Sequence, residues 1–163
     1  MIEIPEGVTV QVDGHKVTAK GAAGEVNKTF GKEVSVKLDG KKIEVSGSDY
    51  AINTTVESIL KSMVNGAKTG YKRSMKLLYA HFPISIEVKG KDILIKNFLG
   101  EKQPRKTLLI GNTKIEAKGQ NVTISGPDKE AVGQTLANLR TAMKIRDRDA
   151  RVFQDGIYEL EGE

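Results

Sequence analysis

The 163-residue chain has no cysteine, which excludes disulfides, thiolate catalysis and cysteine metal sites. Histidine is scarce: His15 and His81 are the whole supply, half the ligand set a zinc site needs. No apolar run approaches the roughly 18 residues of a membrane-spanning helix. The opening Met1-Ile2-Glu3-Ile4-Pro5 lacks the basic start and apolar core of a secretory leader. No glycine-rich stretch ends in Lys-Ser or Lys-Thr at phosphate-loop spacing. What is present is a hydrophobic fraction of 38%, enough for a folded core, so the chain is expected to be globular and soluble. Lys and Arg total 26 against 21 Asp and Glu, a net charge of +5. That balance leaves an anionic partner open, and nucleic acid is the commonest one.

The chain repeats itself. Gly14-His15-Lys16-Val17-Thr18-Ala19-Lys20-Gly21-Ala22-Ala23-Gly24-Glu25 aligns with Gly90-Lys91-Asp92-Ile93-Leu94-Ile95-Lys96-Asn97-Phe98-Leu99-Gly100-Glu101. Gly40-Lys41-Lys42-Ile43-Glu44-Val45-Ser46-Gly47 aligns, at a slightly longer offset, with Gly119-Gln120-Asn121-Val122-Thr123-Ile124-Ser125-Gly126. Two blocks in the same order at near-equal offsets mark a duplication. A loop near Gln103-Pro104-Arg105 absorbs the extra residues.

Each repeat reads alike. Residues 8–12, 34–38 and 42–45, then 84–88, 93–95 and 122–124, alternate apolar and polar, as half-buried strands do. Asp13-Gly14 and Asp39-Gly40 are hairpin signals, so the strands are expected to form antiparallel meanders. Gly21-Ala22-Ala23-Gly24 resembles the loop of a KH module but lies among strands, which favours a hairpin. A helix follows. Ile52, Val56, Ile59, Leu60, Met63 and Val64 form one stripe, with Ser48 and Asp49 to cap its start and Gly66 to stop it. Val132, Leu136, Leu139 and Met143 repeat the spacing, with Pro127 in the first turn. The expected fold class is α+β: two tandem duplicated domains, 1–81 and 82–163, each a small, mainly antiparallel sheet packed on one helix.

Charge is uneven. Lys61, Lys68, Lys72, Arg73 and Lys76 form one basic run with no acid, Lys102, Arg105 and Lys106 a second around Pro104, and Arg140, Lys144, Arg146, Arg148 and Arg151 a third. Such runs can be solvated faces, and cations at a helix end also favour its dipole. Three clusters beside flexible breaks point instead to phosphate contact, and arginine is the better phosphate fork. Tyr71, Phe98, Phe153 and Tyr158 lie near these runs, either as core or as stacking partners for bases. Asp147 and Asp149 alternate with arginines, which reads as local ion pairs; a carboxylate pair for metal or acid–base work is the alternative. His15 reads as solvated, and His81, before an aromatic and a proline, as packed or bonded at the domain boundary. Two rivals to RNA binding are a protein-interaction module offering sheet edges and a metal-dependent hydrolase using Asp147, Asp149 or Asp155.

Arg148-Asp149-Ala150-Arg151-Val152-Phe153-Gln154-Asp155-Gly156-Ile157-Tyr158 resembles the C-terminal signature of the universal large-subunit ribosomal protein L-six family, L-nine in eukaryotes: a basic residue, then Arg-x-Phe-x-Asp-Gly-aliphatic-Tyr. Lys96-Asn97-Phe98-Leu99-Gly100-Glu101-Lys102, Gly70-Tyr71-Lys72-Arg73-Ser74-Met75-Lys76 and Tyr79-Ala80-His81-Phe82-Pro83-Ile84 resemble its archaeal and eukaryotic branch. Thr141, where the family usually carries Gln, and the acidic end from Glu159 depart from the pattern. The resemblance implies a structural constituent of the large ribosomal subunit, not an enzyme, cytoplasmic and without cofactor or metal. It implies binding to large-subunit rRNA near the sarcin–ricin loop and the stalk base, beside neighbouring ribosomal proteins, where translation GTPases dock. No membrane or small-molecule substrate is implied. The second domain is expected to make most RNA contacts. The expected RNA-binding residues are Lys68, Tyr71, Lys72, Arg73, Lys76, Lys96, Lys102, Arg105, Lys106, Lys144, Arg146, Arg148, Arg151 and Tyr158, with Asp155 and Gly156 shaping a turn.

Overall fold

The structure is a computed structural model that describes residues 2–79 and 81–160. Its chain divides into two compact units: residues 1–71 with 126–129, and residues 72–125 with 130–163.

The first unit holds β1 (Ile2–Glu3), β2 (Thr9–Asp13), β3 (Lys16–Gly21), β4 (Gly24–Thr29), β5 (Val34–Asp39), β6 (Lys42–Gly47) and α1 (Tyr50–Thr69). The second unit holds β8 (Ser85–Lys89), β9 (Asp92–Lys96), β10 (Arg105–Leu108), β11 (Lys114–Lys118), β13 (Gly156–Glu159) and, but for its first residue, α2 (Lys129–Ala142). It also takes all but the terminal residue of β7 (Tyr71–Leu78) and of β12 (Asn121–Gly126). Strand order shows the duplication directly. β2-β3-β4 in the first unit matches β8-β9-β10 in the second, and β1-β6-β5 matches β7-β12-β11. The second unit adds β13 outside β7.

Alternation places one side of each strand in a core. Val17, Val26, Ile43 and Leu60 are buried in the first unit, and Met75, Leu77, Ile93, Ile95, Val122, Ile124 and Leu139 in the second. Two-residue connections close the hairpins at Gly14-His15, Gly40-Lys41, Gly90-Lys91 and Gly119-Gln120. Each begins with a glycine near φ +60°, which suits the right-handed twist of the strands it joins. Gly21-Ala22-Ala23-Gly24 is a hairpin as well, with Gly21 opposite Gly24. Its Ala23 N–H donates to Ala67 O at 3.0 Å, which ties the hairpin tip to the last turns of α1.

Several expectations give way to geometry. β7 opens the second repeat, so the units divide before the expected boundary at 81 and 82. The basic run from Lys72 to Lys76 is therefore strand, with Lys72, Arg73 and Lys76 exposed and Met75 and Leu77 buried. Gly66 does not stop α1. The helix runs on to Thr69 and is capped by Gly70 at φ +73°, whose N–H donates to Gly66 O at 2.9 Å. Gly66 is buried where an added Cβ would meet the Pro127 carbonyl and lie 2.8 Å from Tyr71 Cε2. Asp49 is the N-cap of α1 by backbone position but makes no side-chain cap bond. Pro127 precedes α2 instead of lying in its first turn, and Met143 follows its end.

Candidate nucleic-acid interface

The segment from Met143 to Asp155 contains no helix or strand, so its shape depends on what pins it. Arg105, at the start of β10, pins the front. Its guanidinium donates to Ala142 O at 2.8 Å and Lys144 O at 3.1 Å, serving the last carbonyl of α2 and one two residues beyond it. Arg105 is itself held by Glu101, at 2.5 and 2.8 Å, and lies 4.5 Å over the Phe98 ring. The segment Asn97-Phe98-Leu99-Gly100 makes this possible. Asn97, Leu99 and Gly100 all take positive φ, and Asn97 Nδ2 donates to Pro83 O at 3.0 Å, while Phe98 is buried. The arginine expected to bind RNA is thus occupied within its own unit.

Inside the segment, Asp147 takes φ +60°. Asp149 Oδ1 accepts from Arg151 N–H at 2.9 Å, and Asp149 O accepts from Phe153 N–H at 2.9 Å. Asp149 therefore builds a turn rather than pairing with a neighbouring arginine. At the rear, Phe153 stacks on His81 with centroids 4.8 Å apart, and Arg148 lies 4.9 Å from the Phe153 centroid. His81 Nδ1 lies 3.3 Å from Asp155 Oδ2. Asp155 and Gly156 do not form the expected turn: Asp155 is buried against His81, and Gly156 opens β13 without a positive φ.

The other expected residues separate by what they touch. Lys96 pairs with Glu87 at 2.6 Å, Arg73 with Glu159 at 3.3 Å, and Tyr71 donates to Ser62 O at 3.0 Å. Lys68, Lys72, Lys76, Lys102, Lys106, Lys144, Arg146 and Arg151 are exposed, and their cationic groups have no ion pair among the described residues. Tyr158 donates to Gln154 O at 2.9 Å, which fixes its ring while leaving it 46% exposed. Lys76 stands directly across from it on β7. Arg140 and Lys144, with Tyr158, border an open groove of about 690 Å³ between α2 and β13. The acidic end at Glu161 and Glu163 lies outside the described residues.

Among the described residues no three His, Asp or Glu gather as metal ligands would, and no helix is long and apolar enough to cross a membrane. His15 is exposed in its turn.

Hydrogen bonds from Arg105 hold the Glu101 carboxyl below its usual range, against a smaller opposing effect of burial. A depressed carboxylate stabilises the fold above its unfolded pKa of about 4.3 and loses that contribution as pH falls through the lower folded value. Glu101→Gln is therefore expected to lower the urea midpoint at pH 7, and the gap to the parent should close as pH falls below the lowered folded value. The Glu101 side chain is 38% exposed, so the effect at pH 7 stays under about 1 kcal/mol. A gap that does not shrink as the solution is acidified would contradict this origin.

The sequence profile of the ribosomal protein L6 family matches residues 4–70 and 82–156, one stretch in each repeat. The chain is 45% identical to a large ribosomal subunit protein uL6 of Methanocella arvoryzae, over 96% of this chain and 93% of that protein. It is 44% identical to the uL6 of Methanosphaera stadtmanae, over 97% and 90%. The uL6 of Methanobrevibacter smithii is 41% identical over 99% and 94%.

Proposed function

The chain belongs to the ribosomal protein L6 family, as a structural and non-enzymatic constituent of the large ribosomal subunit, and from that premise we propose where and how it binds rRNA. It binds large-subunit rRNA near the sarcin–ricin loop and the stalk base, in the cytoplasm. There it meets neighbouring ribosomal proteins and supports the region where translation GTPases dock. The second repeat makes most of the contact.

One observation carries the reading. Arg146 and Arg151 stand exposed, without ion pairs among the described residues, on a segment whose two ends are tied down by Arg105 and His81. Arg148 joins them from its perch on Phe153. Cations held in place but left unpaired suit phosphate oxygens, whose counterions are released on contact. Lys68, Lys72, Lys76, Lys102, Lys106 and Lys144 add backbone contacts, and Tyr158 offers a ring face to a base. Recognition rests on shape and backbone, because A-form RNA hides its major-groove edges from side chains. Tyr71, Arg73, Lys96 and Arg105 support the fold of their own units and are withdrawn from the contact set.

The test is binding of the purified chain to a large-subunit rRNA fragment carrying the sarcin–ricin region, titrated with salt, against an unrelated RNA of equal length. The expected result is tighter, salt-sensitive binding to the cognate fragment. Equal affinity for both RNAs would remove the proposed location.

A further inference from the structure

We propose that His81 is a positioning residue for RNA binding: it holds Phe153 and, through Phe153, presents the Arg148 guanidinium to a phosphate. The proposal rests on the reading of the 143–155 segment as an RNA contact.

His81 lies in an irregular stretch just before Phe82-Pro83, far in sequence from the residues it touches. One imidazole does two jobs. Its Nδ1 is 3.3 and 3.4 Å from the two Asp155 oxygens, and its ring stacks on Phe153 with an interplanar angle of 22°. The Asp155 side chain is only 1% exposed, so its carboxylate depends on bonded partners inside the unit. The bond fixes the plane of the imidazole. The fixed imidazole is then a wall for Phe153, which is otherwise part of a segment with no ladder or helix to hold it. Phe153 in turn carries Arg148 at 4.9 Å.

The stack matters because of what it leaves open. A guanidinium resting on an aromatic face is attracted through its π surface, while its N–H groups point outward in its plane. Arg148 has no ion pair among the described residues, so that fork is available. An unsupported arginine would lose most of its rotamer freedom on meeting a phosphate, whereas a stacked one has already lost it. Neither phenylalanine nor asparagine can replace His81 fully. The first stacks without donating, and the second donates without stacking.

The test uses the full chain and the same large-subunit rRNA fragment, with His81→Ala, His81→Phe and His81→Asn, alone and combined with Arg148→Ala. Urea midpoints are recorded for every variant, and binding is measured where each is folded. His81→Ala is expected to weaken binding about five-fold and to flatten the plot of log K against log salt by about one, as Arg148→Ala does. The double variant should be no weaker than Arg148→Ala, because both remove the same contact. His81→Phe should stay within about three-fold of the parent, and His81→Asn should resemble His81→Ala. If His81→Ala does not fold, the Phe and Asn variants decide alone. Losses that multiply in the double variant would overturn the proposal. So would a lowered urea midpoint with unchanged RNA affinity, or an Asn variant that binds better than the Phe variant. Failure of the underlying reading looks different: Arg146, Arg148 and Arg151 could then all be removed without effect on the RNA.

Discussion

Replacing Arg146, Arg148 and Arg151 together with alanine is expected to cut affinity for the rRNA fragment by roughly 100-fold near 0.1 M salt. Each phosphate contact is worth on the order of 1 kcal/mol and about one unit of salt slope, so the slope should fall by two to three. The loss should be uniform across related sequences, since phosphate contacts position a protein without reading bases. The control is Lys16→Ala, Lys32→Ala and Lys41→Ala combined, which removes the same charge from exposed positions in the first repeat. If the control loses as much, long-range attraction explains the binding and the segment has no special part. If the arginine variant keeps the parent slope, the segment does not touch phosphate at all.

Gly66→Ala is expected to destabilise the first unit by about 3 kcal/mol, enough to lower its melting temperature by roughly 12–24 °C. Propensity argues for the opposite sign, because alanine in a helix interior gains about 1 kcal/mol over glycine. Sterics decide. The new methyl group would collide with the Pro127 carbonyl and lie 2.8 Å from Tyr71 Cε2, and neither can retreat freely. Tyr71 is tethered by its bond to Ser62 O, and residues 126–129 belong to the same compact unit. Gly133→Ala supplies the matched case. Gly133 lies within α2 with nothing inside 4 Å of an added Cβ, so the substitution should stabilise by about 0.5–1 kcal/mol. A urea midpoint for Gly66→Ala equal to or above that of the parent would show that the helix yields at this crossing.

These two glycines also show what a sequence discloses. The helical stripe from Val56 to Val64 and the paired glycine turns are local signals, and the structure reproduces them. A glycine near the end of an apolar stripe reads as a stop signal. Gly66 is there instead for close approach to Pro127, a residue far along the chain, and no local pattern encodes that. β7 is masked in the sequence for a similar reason. Its alternation is carried by Met75 and Leu77 alone, while Lys72, Arg73 and Lys76 dominate its composition. At the candidate interface, the basic residues were legible as clusters, but their division into occupied and available was not. Arg105 and Arg146 look alike in sequence. Only folding brings Glu101, Phe98 and the carbonyls of Ala142 and Lys144 around the former. His81 and Asp155 likewise find each other through the sheet that places β7 beside β13.

That placement has a consequence for birth on a ribosome. β7 pairs with β13 through Leu78 opposite Gly156 and Met75 opposite Glu159, partners separated by most of the second repeat. Neither neighbour of β7 in its sheet is its neighbour in sequence. The four-stranded sheet must therefore wait for almost the whole repeat to be translated, and its closure carries the slow loop-search cost of distant pairing. The β8-β9-β10 meander can form early, within a single stretch of nascent chain. Until β13 arrives, the backbone edge of β7 is open, on a strand that carries Lys72, Arg73 and Lys76. Charge on an unpaired edge discourages wrong partners, so the same lysines can guard the nascent strand before they meet RNA.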